Sequence, residues 1–221
     1  MVNRGAFRLQ EAKITGYLAA RNKIMSCGGL KMSTKRGLDT QMILSAAAEL
    51  AEEKGLESVS LLQVANRLGV KSPSLYNHVS GFQELSTGLA KLALTKLESA
   101  IRDAAVGRSK SDALTAIAFA YRKFAKGNPE LYKAILRFPD YQDSGVKETG
   151  HAVVRILYQV MEPYHYSKED TIHFIRGFRS ALHGFVSLEE AGFFQGAEAN
   201  VDKSYEQFVT RFLSTLTIKE E

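Results

Sequence analysis

Cysteine is almost missing. The lone Cys27 in 221 residues excludes an intrachain disulfide framework and fits a reducing cytoplasm. Also missing are an apolar run of membrane-spanning length and the continuous apolar stretch of a secretory signal. Proline occurs four times and glycine 17 times, and no segment alternates apolar with polar residues as a half-buried strand would, so an all-α fold is expected. No glycine-rich phosphate loop, nucleophile elbow or paired-carboxylate motif is present, which speaks against an enzyme. His151, His165, His173 and His183 follow no short ligand spacing and no cysteine joins them, so neither a metal nor a cofactor is expected. What is there is an ordinary apolar fraction, 45 %, enough for a real core in one large or two small domains.

The net charge of +5 suggests a polyanionic partner, but its distribution removes that argument. Residues 1 to 31 carry six basic residues (Arg4, Arg8, Lys13, Arg21, Lys23, Lys31) against Glu11; taken from 29 basic and 24 acidic residues, these leave 23 of each sign from Met32 onward. DNA binding must therefore rest on local placement of Lys35, Arg36, Arg67 and Lys71. The basic leader is open to three readings: an arm along DNA, a targeting peptide, or a stretch that is not translated. Gly28-Gly29-Leu30-Lys31 fits the codons of a ribosome-binding sequence ahead of Met32, so residues 1 to 31 are expected to be a disordered or untranslated leader.

Ser60 to Val79, SLLQVANRLGVKSPSLYNHV, reads as two short helices across a glycine turn. Ser60 stands as N-cap with Gln63 at the capping-box position. Leu61, Leu62, Val64, Ala65 and Leu68 form the apolar side, Gly69 suits the left-handed conformation that ends a helix, and Val70 plugs the space between the helices. Ser72 is expected to cap the second helix, with Pro73 in the first turn where its missing N–H has no intrahelical partner to lose. Such a pair is a helix-turn-helix unit. At about 100° per residue, Leu75 and Val79 share a buried face, Pro73, Ser74 and Asn77 point away from it, and Tyr76 and His78 sit on the shoulders. Small and amide groups at such a tip suit base edges, and the hydroxyl and imidazole suit phosphates.

These residues carry a resemblance. Ser60, Val64-Ala65, Gly69-Val70, Ser72-Pro73-Ser74-Leu75-Tyr76 and His78-Val79 are similar to the DNA-binding domain of the TetR family of bacterial transcriptional regulators. The resemblance implies a domain over residues 32–81 that meets double-stranded DNA through Lys35, Arg36, Ser60, Lys71, Ser72, Pro73, Ser74, Tyr76, Asn77 and His78. Many members place a phosphate-anchoring lysine just after this motif. This chain has Ser80-Gly81-Phe82 there, leaving backbone N–H groups at the next helix start as the substitute.

The first helix is expected from about Leu38 to Lys54. A long helix from Phe82 to about Ala105 carries two apolar stripes, Leu85, Leu89 and Leu92 on one and Ala90, Leu94, Leu97 and Ile101 on the other, and must be covered on two sides. Further helices are expected from a Ser111 cap to Lys126, over Glu130 to Phe138 after the Gly127-Asn128-Pro129 stop, over Gly145 to Met161, from a Ser167 cap through Phe194, and from an Asn200 cap onward. Residues 82–221 thus read as a helical bundle for dimerisation and ligand sensing. Phe119, Tyr121, Tyr132, Phe138, Tyr158 and Phe174 are candidates for lining a pocket, with plain core as the alternative. Gly177, Ala181 and Gly184 recur as a small-residue stripe, and Tyr205, Phe208 and Phe212 lie on a wide apolar face. Together these point to a symmetric dimer interface. Arg176 to Glu189, with Leu182-His183-Gly184 inside R-x-x-R-S-A-L-H-G-F-V-x-L-E, resembles the C-terminal domain of TetR-type regulators named for a Trp/Leu-His-Gly motif. The implied function is a dimeric, sequence-specific cytoplasmic regulator, a repressor released from a near-palindromic operator by a small molecule. The alternatives are an all-helical enzyme or carrier with an incidental helix-turn-helix, and an activator or non-specific chromosomal protein.

Overall fold

A computed structural model describes residues 37–137, 143–196 and 198–218. The leader, Cys27, Met32, Lys35, Arg36 and Phe138 lie outside the described residues. Contacts divide the chain into Met1–Gly37 and Leu38–Glu221, and every described helix belongs to the second unit. Among the described residues there are nine α-helices and no strand.

α1 (Thr40–Lys54) begins at Asp39, whose carboxylate accepts the Met42 N–H at 2.7 Å. A single 3-10 turn, Leu56–Ser58, leads to α2 (Leu61–Leu68) and α3 (Ser72–Leu75). α4 (Phe82–Ala105) is followed by α5 (Lys110–Gly127), the short α6 (Pro129–Arg137), α7 (Ser144–Met161), α8 (Lys168–Glu190) and α9 (Val201–Leu213). Asp143, Ser167 and Asn200 each accept the N–H three residues on and so satisfy an otherwise unpaired donor at a helix start. Two expected boundaries move. Ser109, not Ser111, precedes α5 and makes no side-chain capping bond, while the Ser111 hydroxyl, inside the first turn, meets Tyr164 Oη at 3.1 Å. α8 stops at Glu190, and the residues immediately after it form turns.

The described unit has two apolar cores, and α4 enters both. Ile43, Leu50, Val64, Leu75 and Val79 pack with Leu85 and Leu89 from the first half of α4. Leu97 and Ile101 from its second half join Leu114, Leu157, Phe178 and Leu182. Residues 38–81 do not close the first core alone, because Leu131 and Ala134 of α6 complete it. α6 is also clasped there by polar bonds. Glu52 on α1 accepts the Leu131 N–H at 3.0 Å and the Glu130 N–H at 3.3 Å, and Glu130 accepts the Leu56 N–H at 2.7 Å. The carboxylate of Glu52 therefore caps α6 from another helix, where the dipole favours a negative charge.

The second core holds a buried charge. Arg122, 6 % exposed, donates to both oxygens of Glu189 at 2.7 and 2.6 Å and to Asp202 at 2.8 Å. Its guanidinium also lies 4.8 Å from the Tyr205 ring centroid. This group ties α5 to α8 and α9. The hydrogen bonds from Arg122 hold the Glu189 carboxyl below the usual carboxylate range, so its stabilisation is present above the unfolded pKa and is lost as pH falls through the folded one. Glu189→Gln should lower the unfolding free energy at pH 7 by about 3 kcal/mol. The gap to the parent protein should close below about pH 4, as checked by urea titrations at both pH values.

Candidate nucleic-acid interface and internal cavity

The helix-turn-helix is built as its residues dictate. Ser60 Oγ accepts the Gln63 N–H at 3.3 Å, while the Gln63 side chain is exposed, so half of the capping box forms. Gly69 ends α2 in the left-handed region, φ 67° and ψ 27°, with its N–H on Ala65 and Asn66 oxygens. A Cβ there would strain the turn. Leu62, expected on the apolar side, is 60 % exposed, whereas Val64 and Ala65 are fully buried.

The second helix differs from expectation at its start. Lys71, not Ser72, is the N-cap residue, and its carbonyl accepts the Ser74 N–H at 2.9 Å. Ser72 is the first helical residue, and regular helix ends at Leu75, after which Tyr76 to His78 continue as turns. Leu75 and Val79 are buried at 0 % and 2 % exposure. Above them Lys71, Pro73, Tyr76 and Asn77 are exposed and Ser72, Ser74 and His78 half-buried. Arg67 is not available as a free cation, because Glu53 binds it at 2.5 Å. The start of α4 is occupied too: Glu84 accepts both the Ser80 N–H at 2.7 Å and its hydroxyl at 2.8 Å. One backbone N–H just ahead of the helix is thus already taken by a carboxylate.

A second feature lies in the body. Five helices, α4 to α8, enclose a cavity of about 300 Å³. Leu97, Ile117, Val153 and Phe178 supply apolar wall, and Tyr121, Tyr132 and His183 form a polar end. Tyr121 Oη lies 2.9 Å from Tyr132 Oη, which lies 2.5 Å from His183 Nδ1. Burial, reinforced by the charge of Arg179, pushes His183 below its ordinary value. The ring is therefore neutral, and Tyr121, Tyr132 and His183 form one continuous hydrogen-bonded chain along that end of the cavity.

Only part of the aromatic set expected at a pocket lines this one. Tyr121 and Tyr132 do. Phe119 points out against the Tyr205 ring, 5.4 Å between centroids, and Phe174 stacks on Phe178 and meets Phe212 between α8 and α9. Tyr158 is 37 % exposed and does not border the cavity. His183 is part of the cavity, as are Arg176 and Arg179, which no periodic signal marked. Tyr205 is also corrected: fully buried, with its hydroxyl donating to the Ala118 carbonyl at 2.7 Å, it is protomer core and not interface.

The comparisons agree with this geometry. Residues 43–83 match the family of bacterial regulatory proteins named tetR, and residues 114–212 match the tetracyclin repressor-like C-terminal domain. The chain is 35 % identical over 191 residues to YobS, an HTH-type transcriptional regulator of Bacillus subtilis, covering 86 % of this chain and 98 % of that one. The chain belongs to the TetR family of bacterial regulatory proteins. It is a DNA-binding transcriptional regulator. A second relative is Rv0681 of Mycobacterium tuberculosis, also an HTH-type transcriptional regulator, 30 % identical over 186 residues, covering 79 % of this chain and 84 % of that one. A protein from Rhodococcus sp. RHA1 shares the fold with a TM-score of 0.71 at 25 % identity, over 84 % of this chain and 99 % of that one. TetR from Acinetobacter baumannii shares it with a TM-score of 0.62 at 17 % identity, over 81 % and 96 %. No described helix of this TetR-family chain is long and apolar enough to cross a membrane.

Support and contact are separable in this unit. Leu75→Ala should lower the unfolding free energy by about 2–5 kcal/mol, whereas Tyr76→Ala, at a residue 57 % exposed, should change it by less than about 0.5 kcal/mol. Urea titration followed by circular dichroism distinguishes them.

Proposed function

We propose that the protein is a cytoplasmic homodimeric repressor that binds a near-palindromic operator and leaves it when a small molecule fills the cavity. The observation that carries this reading is the exposed row Lys71, Pro73, Tyr76 and Asn77 standing over the buried Leu75 and Val79. Pro73, Ser74 and Asn77 face base edges, Tyr76 and His78 reach phosphates, and Lys71, Ser60 and Ser72 flank them, with Lys35 and Arg36 preceding the first helix of the domain of residues 32–81. Two copies would then read half-sites about 34 Å apart or a multiple of that.

Leu182-His183-Gly184 is read as this chain's version of the Trp/Leu-His-Gly motif. Leu182, core at 2 % exposure, and His183 both border the cavity, whereas no described atom lies within 4 Å of where a Cβ on Gly184 would stand. With Gly177 and Ala181, that open side allows close approach of a second copy, and Phe208 and Phe212 of α9 support it. A ligand bound better by the DNA-free conformation shifts the population by its differential affinity.

Two sets of variants test this. Tyr76→Ala should weaken binding to every DNA sequence about equally, whereas Asn77→Ala or Ser74→Ala should cost about tenfold on the selected operator and little elsewhere. Fluorescence anisotropy that found all three unchanged would sink the assignment. Gly184→Arg should give a folded monomer by sedimentation velocity, and a persisting dimer would remove Gly184 from the interface.

A further inference from the structure

The cavity carries information about the charge of its occupant. Among the described residues that line it there is no aspartate or glutamate, and two are arginines, Arg176 and Arg179, one helical turn apart on α8. Both are exposed at the rim, and neither makes an ion pair or hydrogen bond among the described residues. Most of the remaining wall is aliphatic, with the tyrosine pair and His183 as its polar end. Arg179 stands four residues before His183 on the same helix, where i and i+4 side chains are neighbours, and its charge acts on His183, after burial, and on the Tyr121 phenol, after burial and the bond with Tyr132. Elsewhere in the body the arrangement is different: Arg122 is fully matched by Glu189 and Asp202, and Arg102 by Glu98.

We infer that the site takes an amphipathic monocarboxylate, an apolar body in the aliphatic chamber with its carboxylate on Arg176 and Arg179. This rests on the reading of the cavity as the effector site. A planar guanidinium offers paired N–H donors that match a carboxylate, and such charge-assisted bonds are roughly twice as strong as neutral ones. A cation would meet two like charges with no acid among the described lining residues to receive it. A neutral alcohol would fill the chamber but leave both guanidiniums unmatched. At about 300 Å³, the room of roughly ten water molecules, the cavity suits a body of medium-chain or single-ring size. The small-residue stripe of Gly177, Ala181 and Gly184 lies about a third of a turn around α8 from the arginines, so dimerisation through it leaves the rim to the ligand.

The test uses the full chain without DNA and a matched set of probes below their micellar concentrations: decanoate, decanol and decylamine, with 3-phenylpropionate and 3-phenylpropanol as the ring pair. In isothermal titration calorimetry each carboxylate should bind about tenfold or more tightly than its alcohol, and decylamine more weakly than either. Arg179→Gln and Arg176→Gln, both at exposed positions, should each remove most of that preference while leaving the affinity for the alcohol within about twofold. Val153→Trp, which fills the chamber, should abolish binding of the carboxylate and the alcohol alike. If the alcohols or the amine bind as tightly as the carboxylates, or the arginine variants keep the preference, the charge assignment is wrong while the cavity stands as an effector site. If Val153→Trp leaves binding intact, or no probe binds at all, the cavity is not the effector site and both readings fall.

Discussion

Helix α4 belongs to two cores at once, and the relation between the DNA-facing end of the protein and its body depends on that. A helix apolar on one face can slide or hinge against its support. One whose Leu85 and Leu89 are locked in the first core and whose Leu97 and Ile101 are locked in the second transmits any rearrangement of one core to the other, because close-packed interiors yield in steps and not continuously. α6 adds a second tie. Its Leu131 and Ala134 lie in the first core, its N-terminal N–H groups are held by Glu52, and its Tyr132 borders the cavity. The nine residues of α6 therefore touch both the DNA-binding unit and the place where a ligand would sit.

The electrostatics of the body divide in the same way. Arg122, Glu189, Asp202 and Lys126 form a closed group in which each charge has a partner, and its role is to hold α5, α8 and α9 in register. Breaking such a group strands a charge, which is why its members are poor candidates for ligand contacts. The cavity shows the opposite condition, with neutral hydrogen-bonding groups at one end and cations at the rim. On the DNA-binding unit, the carboxylates of Glu53 and Glu84 are already committed to Arg67 and Ser80. Little fixed positive charge is left on α2 and α3 beyond Lys71, so recognition there leans on shape and neutral contacts to a degree unusual for a surface that meets a polyanion.

Much of this was legible in the residues. α4 has the bounds its apolar stripes imply, and Ser60, Ser167 and Asn200 cap the helices they precede. Buried Leu75 and Val79 can be read from their spacing alone. What escaped was set by tertiary neighbours. Ser109 precedes α5 without a side-chain capping bond, and the Ser111 hydroxyl meets Tyr164, 53 residues away, a contact that no local pattern shows. Periodicity showed that Phe119, Tyr121 and Tyr132 are not loop residues, but it could not tell which of them borders a void and which meets another ring. His183 and Arg179 stood out only through the motif they belong to, and their place at the cavity was not legible, since it depends on which face of α8 turns towards α6. Tyr205 was misplaced for a related reason, because an apolar helix face looks the same whether its own chain or a second copy covers it.

The most direct measurement is DNase footprinting of the full-length protein on upstream DNA of its own host across a range of salt concentrations. A discrete protected site with two symmetry-related halves, retained at physiological salt, is expected of a dimer that reads sequence through Ser74 and Asn77. Diffuse coating that has no boundaries and disappears steeply with salt would contradict it.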